Sequence, residues 1–478
     1  MRSFSLLKKN ITTLSFFEFL KIIFIIFIPN FVFLSIAFFT ATSRPLINID
    51  YLITLLLLFL PWKLMRLSGI VLFILAMLFD TLMFVIQIFP FMDFAAIRYL
   101  SSFVSIAPKN YLAILIGFLV CMGIILWGVM YLSKITTRIY AIFMIVVLLI
   151  VTSVFMQLRI TYAEFQAILG RDNYFIAHSQ IRLYQEITRS KFWDESNIIP
   201  KLAPLQTKQH RAANYLQQPS SSKILYIVAE SWGTLRSNAA QQLVMQNIIK
   251  QKKNLEFIKY GSFYTIGSTV AGELRELCNL ELLNNGFAFS RLEKGKFSSC
   301  LPEKFSQNGY KTIALHGTSG LLYDRKDWYF KAGFQETLFG EHFIGLPRCR
   351  AFNGICDNAL VDVIADKFSR YSQQNLFFYW MTLSSHQPYS EKDIYNRRFE
   401  CEVFNMQPKG EICRNTLLET QFLDNIAELI QKPQMKGVEV IIVGDHQPPI
   451  FGYDIEYVHP LTVSYLHFKV KSSPSGRE

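Results

Sequence analysis

The sequence contains no Cys-x-x-Cys pair, although 7 of its 478 residues are cysteine. Zinc fingers and similar small metal modules space their thiol ligands that closely, so this class of protein is excluded. The chain also lacks a basic helix with interleaved aromatic residues after residue 158. We therefore assign the net charge of +12 to attraction toward an anionic lipid surface and expect no nucleic-acid partner.

Charged residues are scarce in residues 1–158. Hydrophobic residues make up 51% of the chain, and many of them lie in long apolar runs within this part. The runs predict an all-α transmembrane domain with five spans, near 20–41, 46–65, 69–90, 111–133 and 139–158. Pro61 and Lys63 shorten the apolar core of the second span. The N-terminus has no small-residue cleavage site, so a removable signal peptide is not expected. Asp80 is costly in hydrocarbon and is expected to find a structural partner inside the bundle.

Basic residues at alternate ends of these spans predict their orientation. Lysine or arginine at positions 8, 9, 63, 66, 134 and 138 falls on one side of the membrane, which favours a cytoplasmic N-terminus. Five spans then place the C-terminal part outside the cytoplasm. We expect a multi-pass protein of the inner (cytoplasmic) membrane with its soluble domain in the periplasm or extracytoplasmic space.

All cysteines except Cys121 lie in the soluble part, and their even number indicates disulfides formed in an oxidising compartment. Six cysteines can pair in many ways, and the spacing alone does not choose among them. Among these pairings we favour the sequential one: Cys278 with Cys300, Cys349 with Cys356, and Cys401 with Cys413.

Residues 159–222 alternate apolar and charged positions at helical spacing, which is typical of helices lying on a membrane surface. The polar stretch 206–222 then predicts a linker into the soluble domain, residues 223–478.

From residue 223 the pattern changes to apolar strands separated by helical stretches, which predicts an α/β domain with a mainly parallel sheet flanked by helices. Four strands end in residues with ligand or proton-transfer chemistry. They deliver Glu230, His316, His386, and the pair Asp445 and His446. Since open parallel sheets bind ligands at the carboxyl ends of their strands, these side chains indicate an active site at that edge.

Glu230, Asp445 and His446 are typical ligands for a divalent metal such as Zn²⁺ or Mn²⁺. An Asp-His pair is by itself more often an ordinary surface or hydrogen-bonded pair; the other strand ends favour the metal. The stretch 264–273 supplies a candidate nucleophile, Ser268 or Thr269, at the start of a helix. Metal coordination would lower the hydroxyl pKa enough for attack on phosphorus. The alternative is a hydroxyl that only caps the helix.

Residues 223–470 resemble the sulfatase-like catalytic domain of the alkaline phosphatase superfamily. Together with the apolar N-terminal part, the chain is similar to the membrane-anchored lipoteichoic acid synthases, phosphoglycerol transferases and phosphoethanolamine transferases. The resemblance implies that Glu230, Thr269, Asp445 and His446 hold a catalytic Zn²⁺ or Mn²⁺. It also implies that Thr269 becomes phosphorylated by a donor lipid and passes the group to an acceptor.

Further motifs match one branch of that group or another. The segment 316–329, beginning at His316, is similar to the lipoteichoic acid synthase segment that contacts phosphate. This implies that Arg325 is a phosphate clamp with Tyr323 or Trp328 beside the head group; the alternative for Arg325 is a surface salt bridge. His386 matches a substrate-site histidine that stabilises charge or protonates the leaving group. His459 matches a histidine of the phosphoethanolamine branch that binds substrate or a second metal.

The loops closed by Cys349 and Cys356, and by Cys401 and Cys413, also resemble that branch. The Gly-Ser-Thr stretch at 267–269, however, lacks that branch's cysteine before the threonine, so both head groups stay open.

The resemblance implies transfer of a head group from phosphatidylethanolamine or phosphatidylglycerol to an envelope glycan or lipid. One alternative is a phosphodiesterase or phosphatase that uses water. Another is a sulfuric ester hydrolase, because the stretch from Cys300 to Lys304 comes close to Cys-x-Pro-x-Arg, the site of formylglycine formation. A third is a membrane scaffold without catalysis.

Overall fold

The computed structural model describes residues 15–40, 46–88, 109–161, 176–177, 198–206, 210–216, 221–284, 286–387, 389–450 and 452–472. The chain forms two compact units, Met1–Trp193 and Asp194–Glu478. Most of the segment 159–197, for which we predict interfacial helices, lies outside the described residues.

The described residues of the first unit form five helices, which are mainly apolar. They are α1 (Phe16–Thr40), α2 (Ile49–Phe59), α3 (Lys63–Ile88), α4 (Lys109–Ile135) and α5 (Arg138–Thr161). Among the described residues, three segments are long and apolar enough to cross a membrane: Phe16–Ile36, Lys63–Leu82 and Leu115–Ile135. The prediction of five spans is thus confirmed only in part. Helix α2 has 11 residues and ends two positions before Pro61, so it is too short to span a hydrocarbon core.

Asp80, on α3, is buried at 5% exposure. Its carboxylate accepts hydrogen bonds from the hydroxyl of Tyr51 at 3.1 Å and from the amide of Asn48 at 3.5 Å. A carboxylate among apolar helices therefore has polar partners inside the bundle, as the sequence predicts. Two short strands in the same unit, β1 (Ile47–Asn48) and β2 (Ile176–Ala177), pair in parallel.

The second unit is organised around an eight-stranded mixed sheet in the order β5-β12-β11-β4-β10-β8-β9, with β6 also paired to β12. Its strands are β4 (Lys223–Ala229), β5 (Gly233–Leu235), β6 (Leu255–Tyr264), β8 (Lys311–His316), β9 (Glu336–Phe339), β10 (Leu376–Met381), β11 (Glu439–Gly444) and β12 (Val458–Val470). The five strands from β11 to β9 run parallel, and β12 pairs antiparallel with β11, β5 and β6. A small separate sheet joins β3 (Leu202–Pro204) to β7 (Leu280–Leu282).

Helices cover both faces of this sheet. They are α6 (Asn238–Ile249), α7 (Thr269–Cys278), α8 (Leu301–Gln307), α9 (Arg325–Lys331), α10 (Asp357–Arg370) and α11 (Glu411–Leu429). Residues of α6, α10 and α11 share a core with Leu225, Phe378 and Val440 on one face. On the other face, Phe305 of α8 stacks on Phe377 at 4.6 Å. Every residue of β10 and β11 is buried, which explains why these strands read as unbroken apolar runs.

Three disulfides tie the loops of this unit: Cys278–Cys300, Cys349–Cys356 and Cys401–Cys413. The sequential pairing is therefore confirmed. The first bridge joins the end of α7 to the start of α8.

Candidate active site

The carboxyl ends of four neighbouring parallel strands meet at one edge of the sheet. In the strand register, Ala229 of β4 lies beside Gly444 of β11, and Met381 of β10 lies beside His316 of β8. The residues that follow each strand are therefore brought together, and they include the predicted site residues.

Glu230, Asp445 and His446 form a buried cluster in which one ligand atom from each lies within 4.8 Å of the others. Nε2 of His446 lies 3.3 Å from Oδ2 of Asp445 and 3.5 Å from Oε1 of Glu230. Nδ1 of the same ring lies 2.7 Å from the carbonyl of Gln447. That carbonyl can only accept, so Nδ1 carries a proton and donates it to the carbonyl, and Nε2 is the ring nitrogen that faces the carboxylates.

Thr269 is the first residue of α7, and its hydroxyl points into this cluster. Oγ1 lies 3.2 Å from Oε2 of Glu230 and 3.3 Å from Nε2 of His446. Ser268 is the N-cap residue, but its side chain makes no capping hydrogen bond. Thr269 is thus placed for chemistry at the cluster, with the positive end of the helix dipole behind it.

The cluster fits a divalent cation. Oδ1 of Asp445 accepts the backbone N–H groups of Ser231 and His446, whereas the buried Oδ2 has no hydrogen-bond partner among the described residues. A buried carboxylate oxygen without a partner is costly unless a cation binds it. Two carboxylates and one imidazole are a common ligand set for a catalytic metal, and this set leaves a fourth position open. The hydroxyl of Thr269 would be the ligand in that position.

The electrostatics of the cluster also favour a positive ion. Burial and then the charge of Glu230 raise the pKa of Asp445 to about 7. Burial lowers the pKa of His446, but the charges of Asp445 and Glu230 overcome this effect and raise it above its usual value. Both shifts arise because negative charge is concentrated in a space without water, which a divalent cation would relieve.

Arg275, on the same helix as Thr269, is a residue that sequence reasoning missed. Its guanidinium is buried at 1% exposure and donates to the carbonyls of Gly444 at 2.8 Å and Asp445 at 2.9 Å. The remaining donors bind Glu276 and Thr265. Arg275 therefore fixes the end of β11, which carries two candidate metal ligands, to the helix that carries the hydroxyl. No local sequence signal marks this role, because its acceptors are backbone carbonyls distant in the chain.

Arg325 is buried, not part of a surface salt bridge. Its Nε and Nη2 donate to the buried carboxylate of Glu273 at 3.0 and 2.7 Å, and its Nη1 lies 3.3 Å from Nε2 of His316. Glu273 also accepts hydrogen bonds from Tyr379 and Tyr329. The arginine fork is thus already occupied by a carboxylate, which supports a role in holding α7 and α9 together.

His316 takes part in this network through both ring nitrogens. Nδ1 lies 3.0 Å from the carbonyl of Met381; since Arg325 can only donate, Nδ1 carries the proton and Nε2 accepts. Burial and the neighbouring Arg325 hold the pKa of His316 well below its usual range. A neutral His316 therefore links the ends of β8 and β10.

The two aromatic residues predicted beside the head group lie in different surroundings. Tyr323 is half-buried, and its ring lies 5.1 Å from the guanidinium carbon of Arg325. Trp328 is fully buried and stacks at 5.8 Å on Phe297, with Phe289 at the same distance. Trp328 therefore belongs to the core beneath α9, and Tyr323 is the aromatic residue nearer the site.

His386 follows Ser385, whose hydroxyl donates to the carbonyl of Glu230 at 2.6 Å. Its Nδ1 lies 2.6 Å from the carbonyl of Gln387, and its ring packs at 4.6 Å from that of Phe352. Nδ1 thus carries the proton and donates a hydrogen bond to the carbonyl, so Nε2 is the ring nitrogen that can accept a hydrogen bond. Burial lowers the pKa of His386 to about 4, so the ring is neutral at pH 7.

Asp357, the first residue of α10, is a second residue that sequence reasoning missed. Its carboxylate accepts the backbone N–H groups of Leu383 at 3.1 Å and Ser384 at 2.7 Å. It thereby shapes the turn that carries Ser385 and His386.

His459 lies on β12 and is exposed, and among the described residues its side chain makes no hydrogen bond or ion pair. The structure does not bring it to the Glu230, Asp445 and His446 cluster.

Residues 222–468 match the model of the Sulfatase family. The chain belongs to this family. No curated protein matches the chain. Membership confirms the sulfatase-like part of the resemblance drawn from the sequence.

Several solved structures are similar at low identity. The lipoteichoic acid synthase LtaP from Listeria monocytogenes is 15% identical, with a TM-score of 0.40, over 53% of this chain and 67% of that one. The Streptococcus pyogenes phosphoglycerol transferase GacH, solved with sn-glycerol-1-phosphate, is 16% identical, with a TM-score of 0.38, over 62% and 78%. The C-terminal periplasmic domain of EptC from Escherichia coli, solved with Zn, is 12% identical, with a TM-score of 0.38, over 58% and 80%.

Proposed function

We propose that this member of the Sulfatase family transfers a phospholipid head group to an envelope acceptor through a phosphothreonine intermediate on Thr269. One observation carries the proposal: the hydroxyl of Thr269 lies 3.2 Å from the Glu230 carboxylate and 3.3 Å from Nε2 of His446. Glu230, Thr269, Asp445 and His446 would hold a divalent metal, Zn²⁺ or Mn²⁺. When bound, it supplies the positive charge that makes an alcohol nucleophilic at neutral pH.

In the first step, the Thr269 oxygen forms a bond to the phosphorus of phosphatidylethanolamine or phosphatidylglycerol. The bond from phosphorus to the diacylglycerol oxygen breaks, and that oxygen takes up the proton released by Thr269. The hydroxyl proton of Thr269 faces Oε2 of Glu230, which is therefore its first acceptor. The site is buried, so water is kept from competing with the lipid during this step.

In the second step, an acceptor hydroxyl attacks the phosphothreonine, and the bond from phosphorus to Thr269 breaks. We assign His386 as the base for this step. Its proton sits on Nδ1, toward Gln387, so Nε2 is available to take the proton of the acceptor hydroxyl. The low pKa of His386 keeps that nitrogen unprotonated at pH 7, which suits a base better than the acid role implied by the resemblance.

We assign supporting roles around the nucleophile to Arg325, His316 and Tyr323. We assign Arg325 and His316 to positioning, since Glu273 occupies the arginine fork. Tyr323 is the candidate for contact with the head group. Trp328 and His459, for which the resemblance implies substrate contact, are not part of this assignment, because Trp328 is buried in the core and His459 is not a member of the metal-ligand cluster.

We assign membrane anchoring in the inner (cytoplasmic) membrane to the apolar unit and place the catalytic unit outside the cytoplasm. Three disulfides in the catalytic unit support an oxidising compartment. A membrane anchor also raises the effective concentration of a lipid donor relative to a soluble one.

Hydrolysis by water is the second candidate, because a phosphothreonine could be resolved by water at the same site. A sulfuric ester hydrolase with formylglycine at position 300 is disfavoured, since Cys300 is buried and disulfide-bonded to Cys278. A non-catalytic scaffold is disfavoured because the buried Oδ2 of Asp445 has no hydrogen-bond partner in the described part of the chain.

The experiment that tests the proposal measures diacylglycerol release from each of the two phospholipids by the full chain in detergent. Thr269→Ala should abolish release while circular dichroism and thermal unfolding stay unchanged. Release by Thr269→Ala at the wild-type rate would refute the assignment.

A further inference from the structure

A polar cavity borders the turn that connects β10 to His386. It encloses about 210 Å³, which is below the roughly 300–1,000 Å³ of sites that bind drug-sized ligands. Its walls are the loop closed by Cys349–Cys356, the start of α10, the segment 392–395 and one side of α11. The space suits one small polar unit.

The lining has both polar and apolar parts. Leu418 and Phe422 of α11 are buried and form an apolar floor, while Asn358, Lys392 and Tyr395 are exposed at the rim. Among the described residues, the side chains of Asn358 and Lys392 make no hydrogen bond or ion pair. A ring with hydroxyl groups at its edges and C–H groups on its faces matches such a site.

The charges around the cavity balance. Arg348 and Lys392 are opposed by Asp357 and Asp393. Arg348 already donates to the carbonyls of Asn353 and Gly340, and Asp357 already accepts backbone N–H groups. Oδ2 of Asp393 already accepts the backbone N–H of Arg350. The groups that remain for a ligand are the ammonium of Lys392 and the Oδ1 oxygen of Asp393. The balanced charges offer a phosphate no net attraction, whereas neutral hydroxyl groups can both donate to Asp393 and accept from Lys392.

The cavity and the candidate active site share the same turn. The hydroxyl of Ser384, which lines the cavity, accepts a hydrogen bond from the backbone N–H of Asp357 at 3.0 Å. The next residue, Ser385, binds the carbonyl of Glu230 at 2.6 Å, and His386 follows. A chain of sugar units with one ring in the cavity would therefore extend across this turn toward the catalytic edge.

We propose that this cavity binds one sugar ring of a neutral glycan, and that this glycan is the acceptor in the second step. The inference rests on the proposed transferase function for the acceptor role, but not for the binding itself. In the transfer, a hydroxyl oxygen of the glycan bonds to phosphorus, the bond to Thr269 breaks, and the hydroxyl proton passes through His386 to the threonine oxygen.

The test uses the full chain in detergent micelles and the methyl glycosides of glucose, galactose and N-acetylglucosamine as probes. The indole ring in Asn358→Trp should block the entrance of the cavity. Because position 358 is exposed, the substitution should not disturb folding. Ser369→Trp, exposed on the same helix but outside the cavity, is the matched control. Saturation-transfer NMR should detect binding of at least one glycoside to the wild type and Ser369→Trp, weakened about tenfold or more in Asn358→Trp.

Three results would overturn the proposal: no glycoside binds the wild type, Asn358→Trp binds as well as the control, or inorganic phosphate displaces the glycoside. Thr269→Ala separates the two proposals, because it should bind the glycoside normally while releasing no diacylglycerol. If the wild type releases no diacylglycerol, the proposed function is refuted, and glycoside binding still tests whether the cavity binds sugar. If diacylglycerol is released but Asn358→Trp transfers the lipid head group to the glycoside as well as the wild type does, only the acceptor role of the cavity is refuted.

Discussion

Gly272 lies directly against Asp445, so that a Cβ atom at position 272 would lie 2.8 Å from the Cα, Cβ and carbonyl oxygen of Asp445. Helix α7 therefore packs with its backbone against the end of β11. This close approach brings the hydroxyl at the start of the helix within hydrogen-bond distance of the carboxylate and imidazole at the strand ends. The geometry of the cluster depends on a residue with no side chain.

We expect Gly272→Ala to separate α7 from β11, because backbone atoms at that distance cannot move aside cheaply. A shift of about 1 Å in the nucleophile should lower diacylglycerol release by about a hundredfold. Gly295→Ala is the matched control, since a Cβ there meets no atom within 4 Å. Wild-type release by Gly272→Ala would show that the contact does not set the position of Thr269.

Arg275→Lys should lower kcat by about tenfold or more while the KM for the lipid stays near that of the wild type. Lysine keeps the positive charge beside Glu276 but cannot bind the carbonyls of Gly444 and Asp445 together. Asp445 and His446 would then be held less firmly, so the variant should also lose its metal more readily during dialysis. Arg370→Lys, at the exposed end of α10, is the control. A raised KM with unchanged kcat would indicate instead that Arg275 affects lipid binding.

The position of the candidate active site at one edge of the sheet could be predicted, because buried parallel strands appear in the sequence as apolar runs. Glu230, His316 and the pair at 445–446 each follow such a run, and parallel pairing brings those ends together. A glycine and two hydroxyl residues before an amphipathic helix indicate Ser268 or Thr269, and the resemblance to the sulfatase-like transferases chooses Thr269. Apart from that choice, these inferences need only local pattern and one rule of topology.

Other features depend on contacts that no local pattern encodes. Arg275 and Asp357 bind backbone groups far away in the chain, and any residue supplies a carbonyl or an N–H. For Arg325, Trp328 and Tyr329 a signal was present: their i, i+3, i+4 spacing is that of a buried helix face. The motif match at 316–329 instead favours Tyr323 or Trp328 beside the head group, and the full burial of Trp328 does not support that position for it. The five predicted spans are confirmed only in part, because among the described residues the apolar segment before Pro61 forms a helix of only 11 residues.

The buried carboxyl of Asp357 should make stability depend on pH. Burial raises its pKa from 3.8 to about 6, in spite of hydrogen bonds from Ser384 and Leu383. Since the folded chain holds this proton more tightly than the unfolded chain, the stabilisation is complete below about pH 4 and is lost as pH rises to about 6. The free energy of unfolding should fall by up to roughly 3 kcal/mol over this range.

Asp357→Asn should flatten that part of the profile, as measured by thermal unfolding of the full chain in detergent between about pH 4 and 6.5. Asp366→Asn, exposed on the same helix, should leave the profile unchanged. If the wild type and Asp357→Asn lose stability in parallel across this range, the carboxyl is not the group responsible.

Metal removal should abolish diacylglycerol release and lower the unfolding temperature, because Glu230 and Asp445 would then repel each other without a counter-ion. Adding Zn²⁺ or Mn²⁺ should restore both properties. His446→Ala should retain little metal by elemental analysis, whereas His459→Ala, which is exposed, should retain as much as the wild type. Equal metal content in the two variants would contradict the assignment of His446 as a ligand.

The most direct measurement is the mass of the Thr269 peptide from protein purified after incubation with phosphatidylethanolamine or phosphatidylglycerol. The account predicts a phosphoethanolamine or phosphoglycerol adduct on Thr269, absent from His446→Ala and lost when an acceptor is added. An unmodified Thr269 in protein that is actively releasing diacylglycerol, or an adduct on another residue, would contradict it.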